Sequence, residues 1–459
     1  MKFTHMYFSL FRKKRLLLLV ASLLPAAALL AQSPVSVNPL TGAANVVIPI
    51  GSYQRGSIRF AINLVYNGSG VKPTDVEGNA GIGWELQAQS AVVRQLRGLP
   101  DDIQQDNLGN TRTGWIYNTN QSTIAGFTPA NTGTANCTNE ASDLSYIGSH
   151  FSYTSDTEPD IFYVNAPGLN CQLVFDQASG KFRSIGYQDL VITYTVAANH
   201  TINSFTIVND AGTKYTFNVP ENTLQYIIGT GAPGVFASTY NQYLNGITFA
   251  DKWCLSSILD ISGNSMSFTY TTGPPRGSKD SVKTAAAGFT DISLDYIIGQ
   301  SVTPQQLSTV SLSADQDQNI PNETLTFTWG DPLVSGSGKT CITGISGRNR
   351  STSFSYAPVK YTEHGGGAYY RAFLTNVNDS GCGSPLGYSF TYAGQSIVGG
   401  AYTTTMPDSL STKNDYWGYY TTFPTSGTLL PAVYASPTTS GYPNYLVKAG
   451  SANSHYNYT

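Results

Sequence analysis

Charge is scarce in this sequence: Asp, Glu, Lys and Arg make up 12% of 459 residues, about half the usual share. Methionine (4) and histidine (5) are few, whereas Gly (45), Pro (23) and Tyr (30) are many. That balance excludes a helical architecture or a coiled coil. A basic footprint is missing too. Lys2, Arg12, Lys13, Lys14 and Arg15 all stand in the first 31 residues, which hold no acid. Without these five, 20 basic residues face 28 acidic ones, a balance of −8. A nucleic-acid partner, which needs clustered positive charge, is excluded. Beyond residue 31 no apolar run is long enough to span a membrane, which excludes a multi-pass protein. Neither H-E-x-x-H nor G-x-S-x-G nor C-x-x-C occurs, so no catalytic residue is assigned and zinc is not expected.

What is present begins with an address. Arg12-Lys13-Lys14-Arg15 precedes the apolar run Leu16–Leu24, and Pro25 to Gln32 supplies small residues for cleavage. This order predicts a secretory signal over residues 1–31, cut after Ala28 or Ala31. The sequence is expected to be exported to the cell surface, the medium or the periplasm. Export permits disulfides among Cys137, Cys171, Cys254, Cys341 and Cys382; Cys137–Cys171 and Cys341–Cys382 are the pairs nearest in sequence.

The rest reads as all-β, predominantly antiparallel. Residues 58–66 alternate apolar and polar, as a strand with one buried face does. A hairpin pattern recurs. Phe205–Val208 meets Asn209-Asp210-Ala211-Gly212 and then Thr213–Phe217. Leu255–Ile258 meets Asp260–Gly263 and then Ser265–Tyr270. Leu374–Val377 meets Asn378–Gly381 and then Leu386–Tyr392. A looser copy runs Ile342–Ile345, Gly347, Ser353–Tyr356. Asp or Asn with Gly suits tight turns, and aromatics two apart share one face of the second strand. Stacked hairpins of this kind predict a large curved sheet. Residues 101–150, polar and turn-rich, are expected to be a loop insertion.

Gly68–Lys72, Gly81-Ile82-Gly83-Trp84-Glu85-Leu86 and Arg94–Asp102 together resemble the N-terminal region of bacterial Rhs/YD-repeat proteins. The related N-terminal domains of plasmid-virulence B and Tc-toxin B proteins carry a similar G-x-G-W-x-L element. Asp156 to Phe162 and Trp417-Gly418-Tyr419-Tyr420 resemble two further elements of this group. The resemblance implies an N-terminal Rhs-associated β domain, β-sandwich-like, over residues 32–165. It also implies a YD-like hairpin region over 166–420 and a loop-rich, truncated tail over 421–459. It implies a structural scaffold or shell module for cell-surface interaction or intercellular competition, without catalysis of its own. Its partners would be further Rhs/YD repeats or another protein.

Three other chemistries remain open. Asp156, Glu158 and Asp160 alternate, so on a strand they would share a face about 7 Å apart, where a hard cation such as calcium would suit their oxygens. The many Tyr and Trp residues would allow a carbohydrate-binding or adhesive face with glycans as partners. A secreted hydrolase is the third reading, with His150, His200, His364 and His455 as the available imidazoles. Gly229-Thr230-Gly231-Ala232-Pro233-Gly234 fits a dinucleotide loop only nominally, because Pro233 interrupts it and no βαβ pattern surrounds it; no organic cofactor is expected.

Overall fold

The computed structural model describes residues 35–37, 44–68, 77–118, 155–229, 246–283, 295–314, 321–332, 340–362, 368–381, 386–392, 397–398, 401–402, 432–436 and 444–448. The signal region, Cys137, Cys382, Gly231–Gly234, His150, His364, His455 and Trp417–Tyr420 lie outside the described residues. Within them the fold is all-β, as expected. A single 3-10 turn at Trp115–Tyr117 interrupts the strands, and no described helix is long and apolar enough to cross a membrane.

Strands β1 (Val35–Val37), β2 (Ala44–Arg55), β3 (Ile58–Gly68) and β4 (Trp84–Gln87) form an antiparallel sheet in that order. The alternation in β3 buries Ile58, Phe60, Ile62 and Leu64. Next come β5 (Ala91–Gln95), β6 (Ile161–Ala166), β7 (Leu169–Asp176), β8 (Lys181–Ser184), β9 (Val191–Val196), β10 (Ile202–Val208), β11 (Lys214–Gly229) and β12 (Ile247–Leu259). Their ladders run β8-β7-β6-β5-β12-β11-β10-β9. This sheet curls until its two ends meet side by side: the rings of Phe182 on β8 and Tyr194 on β9 pack edge-on at 5.1 Å. Among the described residues no ladder register joins β8 to β9. The expected boundary at residue 165 falls inside β6, and β5 sits between β6 and β12, so the two expected regions share one sheet.

The chain continues through β13 (Ser265–Thr272), β14 (Arg276–Lys283), β15 (Asp295–Thr303), β16 (Gln305–Ser313), β17 (Glu323–Gly330), β18 (Cys341–Ser346), β19 (Arg350–Thr362), β20 (Ala368–Gly381) and β21 (Leu386–Ser389). From β12 the sheet grows in the order β13-β16-β17-β18-β19-β20-β21. β14 and β15 instead turn aside to pair on β11. Strands β22 (Ile397–Val398), β23 (Ala401–Tyr402), β24 (Ala432–Ser436) and β25 (Asn444–Lys448) make two separate ribbons. The N-terminal sheet covers the inner face of the growing sheet; Phe60 meets Phe268 edge-on at 5.6 Å, and both belong to one continuous core.

Neighbouring hairpins share one lock. In β12–β13 the Tyr270 hydroxyl donates to Leu255 O at 2.8 Å. In β16–β17 the Trp329 indole donates to Leu307 O at 2.7 Å. In β18–β19 the Tyr356 hydroxyl donates to Ile342 O at 2.7 Å. At β20–β21 the Tyr392 hydroxyl donates to Leu374 O, also at 2.7 Å. Each donor follows a Phe by two positions: Phe268, Phe327, Phe354 and Phe390. In the first three units the register slips by a bulge immediately before the donor. A bulge bends its strand and re-aims the side chain that follows. The aromatic body fills the core while the polar tip satisfies a carbonyl of the facing strand.

The outer face is different in kind. Thr193, Thr206, Thr216, Ser257, Ser267, Ser311 and Thr324 stand in register across β9, β10, β11, β12, β13, β16 and β17. A second row runs Thr269, Thr309, Thr326, Ser346, Ser351 and Ser380. Hydroxyls bond across the strands, as in Thr269–Thr309 at 2.6 Å.

Two sequence expectations change. Asn378–Gly381 is not a turn: β20 runs through Gly381 and β21 pairs back onto it from Asp379. The cause is Arg350, whose guanidinium grips the Asp379 carboxylate from β19 at 2.9 and 2.8 Å and holds that segment extended. Of the expected loop insertion, residues 101–118 are described: they form turns, isolated bridges and the 3-10 turn and no strand, but they are packed and not solvated, because Asp101, Asp102, Ile103, Asp106 and Arg112 are all buried.

Candidate functional site

Alternation along β5 sends Val92 and Arg94 inward and leaves Val93 and Gln95 outside. Arg94 therefore enters the end of the curled sheet, where its guanidinium lies 5.1 Å from the Trp253 ring centre and 5.2 Å from that of Phe162. Its Nη2 donates to Asp102 Oδ1 at 2.7 Å, and its Nε stands 3.4 Å from Asp160 Oδ2. Asp102 Oδ2 accepts the Ile202 N–H at 2.6 Å, tying β5 to β10. Asp101 and Asp160 clasp each other. The Asp160 N–H donates to Asp101 Oδ1 at 2.9 Å, and the Asp101 N–H donates to Asp160 Oδ2 at 3.1 Å. Asp160 Oδ1 also accepts the Arg97 N–H at 2.7 Å. Asp156 lies alongside, its N–H donating to Thr113 O at 2.7 Å.

One guanidinium thus faces Asp101, Asp102 and Asp160, with Asp156 beside Asp160; none of the four is more than 3% exposed. Charges withdrawn from water must be paired or neutralised. Burial and the neighbouring Asp160 push Asp101 up to about 9, although hydrogen bonding and Arg94 pull the other way. Burial pushes Asp156 up to about 7. Burial also raises Asp160, to about 6, against the pull of Arg94 and the Arg97 and Asp101 amides. Among the described residues Asp101 Oδ2, Asp156 Oδ2 and Arg94 Nη1 have no hydrogen-bond partner. Arg94 is held above its ordinary value: burial acts to lower it, and Asp102, Asp160 and Asp101 outweigh that.

The expected alternation of Asp156, Glu158 and Asp160 on one strand face does not form. Their segment precedes β6 and is not a strand. Asp156 bends it by accepting the Glu158 N–H at 3.4 Å, and Glu158 turns outward to Arg97 at 3.0 Å. No cluster of three His, Cys, Asp or Glu residues able to hold a metal ion occurs among the described residues. The hairpin aromatics Phe268, Phe327 and Phe354 are buried, so these rings face the core and not a sugar. His200 sits in a turn at φ 67°, its ring 6.2 Å from Tyr117. Cys171 is a buried free thiol, and Cys137, its expected partner, lies outside the described residues. Cys341 is buried at the start of β18, and its expected partner lies outside the described residues.

Arg94, Asp101 and Asp102 were not expected as a site. A signal existed: in a chain so poor in charge, Arg94, Arg97, Asp101, Asp102 and Asp106 crowd together. The cluster joins two of the sequence elements that carried the resemblance, Arg94–Asp102 and Asp156–Phe162. Chemically it can hold a proton away from solvent.

No family model matches the sequence, and no curated protein matches it. Solved structures do. The N-terminal domain of effector protein SpvB from Salmonella typhimurium strain LT2 is similar at 11% identity, over 75% of this chain and 99% of that one, with a TM-score of 0.28. TcdB2-TccC3 without its hypervariable C-terminal region is similar at 13% identity, over 76% of this chain and 14% of that one, with a TM-score of 0.30. The Tc holotoxin pore of Photorhabdus luminescens is similar at 13% identity, over 76% of this chain and 13% of that one, with a TM-score of 0.29.

Proposed function

We propose that this protein is an exported structural module of the Rhs/YD-repeat type, a scaffold for cell-surface interaction or intercellular competition without catalysis of its own. The repeated lock carries this reading: Tyr270–Leu255, Trp329–Leu307, Tyr356–Ile342 and Tyr392–Leu374 mark hairpin units added side by side to one growing sheet. Such a sheet is built to be extended by more units or by a partner's strand. At β21 the Phe390 N–H donates to Thr375 O on β20. By the antiparallel pattern, the backbone groups of Gly387 and Ser389 point to the opposite edge. The buried Asp101, Asp102 and Asp160 carboxylates also suit a structural role, since a substrate could not reach them in the closed fold.

The test is to follow the tagged protein in the host that carries its gene. The expected result is protein without its leader outside the cytoplasm, in an assembly heavier than the 49.2 kDa of the whole chain. Gly387→Pro and Ser389→Pro should release it from that assembly with its strand content intact, because proline is tolerated at a sheet edge but donates nothing there. A cytoplasmic monomer, or a hydrolytic activity in the purified chain, would overturn the reading.

A further inference from the structure

Residues 101–118 close one end of the curled sheet. The Trp115 indole donates to Phe175 O on β7 at 3.2 Å, and the Tyr117 hydroxyl donates to His200 O ahead of β10. Asp102 accepts the Ile202 N–H of β10. Beside β12 the Asn107 N–H donates to Gly246 O at 2.9 Å, and its side chain donates to Thr248 Oγ1 at 2.8 Å. Leu99 and Ile103 pack with Ile247 and Phe249 beneath this segment. It touches three strands that are far apart in sequence, and its Trp115 and Ile116 pack against the core cluster that holds Phe162 and Trp253.

We propose that this segment is a proton-held clasp: a proton kept on Asp101, beside Asp160, seats it over the sheet end, and loss of that proton releases it. The charges facing the pair can be named from every side. β5 contributes Arg94. The clasp contributes Asp101 and Asp102, with Asp106 and Arg112 paired to each other at 2.7 Å farther along. The segment before β6 contributes Asp156, while Glu158 is paired outward with Arg97. β10 offers the backbone N–H of Ile202, and β6 and β12 offer the rings of Phe162, Trp253 and Phe249. Arg94 is shared between Asp102 and Asp160, and Asp101 has no cation within bonding reach among these groups. Its Oδ2 is fully buried without a donor, which suits a neutral acid and not a carboxylate. Ionising Asp101 would set a second buried negative charge against Asp160 across the reciprocal amide bridge.

The direction of the pH effect follows from linkage. Asp101 is raised in the folded protein, to about 9, above an unfolded value of about 3.9. The folded form therefore holds a proton that the unfolded form has lost. The stabilising contribution is complete below the unfolded value and is lost as pH rises through the folded one.

Trypsin cleavage after Arg112 reads the opening, because Arg112 is buried in the closed clasp. Rates are normalised to a short peptide with the same sequence. The wild type is expected to cleave about tenfold faster at pH 9.5 than at pH 7.5, which is of the order that one-proton linkage gives per pH unit. Asp101→Asn, which replaces the orphan oxygen with a neutral amide, should cleave at the same slow rate at both pH values. Asp160→Asn relieves the same repulsion and should flatten the profile too, so the proposal does not depend on one variant folding. Asp102→Asn, which weakens the Arg94 pair and the Ile202 bond but leaves the Asp101–Asp160 contact in place, should keep the alkaline rise. A wild-type rate that is flat with pH overturns the clasp whatever the variants do. So does an undiminished alkaline rise in a folded Asp101→Asn protein.

Discussion

The indole N–H of Trp84 donates to the hydroxyl of Tyr392 at 2.9 Å, across 308 residues of sequence. That hydroxyl in turn donates to Leu374 O, so the N-terminal sheet is fastened to the last of the hairpin locks. The Trp84 ring also lies 4.9 Å from Tyr66 and 4.4 Å from Phe390. The glycine ahead of it has a spatial reason. Gly81 adopts φ 93°, and a Cβ there would stand 2.7 Å from Ala372 O. The Ile82 N–H donates to that same carbonyl at 2.9 Å. Residues 81–84 are therefore a staple between β4 and β20.

Trp84→Phe should keep most of the ring contact and lose the hydrogen bond, lowering stability by about 1 kcal/mol. Trp84→Ala should cost about 3–5 kcal/mol through the cavity it leaves. Urea unfolding followed by circular dichroism measures both. Equal losses in the two variants would mean that the hydrogen bond, and not the packing, holds the staple.

The thiols of Cys171 and Cys254 should be inert in the folded protein. Burial pushes the first up to about 11 and, with only partial relief from Lys252, the second up to about 12. At pH 8 the reactive thiolate is then a minute fraction of either. Neither should react with a disulfide reagent until denaturant is added, when both should titrate. Rapid modification of Cys254 in native buffer would contradict its burial between β5 and β11.

Much of the hairpin architecture was legible because its signals are local. Asp260 with Gly263, and Phe268 with Tyr270, lie within a dozen residues and declare turn and face together. The unit Leu307–Trp329 escaped notice because Trp replaces Tyr and no short Asp–Gly turn joins β16 to β17. The turn assigned to Asn378–Gly381 was misread for the opposite reason. Those residues favour a turn on their own, and Arg350, 29 positions away, overrides them. The Arg94 cluster was hidden by distance, since Asp102 meets Ile202 100 residues on. Polar composition correctly marked residues 101–118 as a loop but hid its burial, because polar groups such as Asp106 and Arg112 are paired with each other.

The Asp260 turn has a twin. Asp260 Oδ1 accepts the Ser262 and Asn264 N–H groups and Oδ2 accepts the Asn264 amide, each at 2.9 Å. Asp106 makes the same three bonds at 2.9 Å to Leu108 and Asn110. Burial acts to raise Asp260, but bonds from Asn264, Ser57 and Ser262 outweigh it and hold the carboxyl below its ordinary value. For a lowered carboxyl the stabilising contribution is present above the unfolded value, about 3.9, and is lost as pH falls through the folded value. Asp260→Asn should therefore reduce stability at pH 7 by about 1–2 kcal/mol and should also lessen the loss of stability between pH 4 and pH 2. Thermal unfolding across that range checks both. An unchanged acid limb would assign the loss to other carboxylates.

The hydroxyl rows of the outer face make the opposite kind of prediction, one of solubility and not of stability. Thr269, Thr309 and Thr326 are neighbours on β13, β16 and β17, and their methyl and hydroxyl groups stand away from the core. Valine has the same shape and an equal liking for strands, so each Thr→Val change should alter stability by no more than about 0.5 kcal/mol. Together the three would replace a wet row by a contiguous apolar one, and exposed patches of that kind drive association. The triple variant should therefore unfold at nearly the wild-type urea midpoint while sedimenting as a larger species at high concentration. A large loss of stability without association would show that bonds such as Thr269–Thr309 hold the sheet together, and that the outer hydroxyls are structural and not merely a solvated coat.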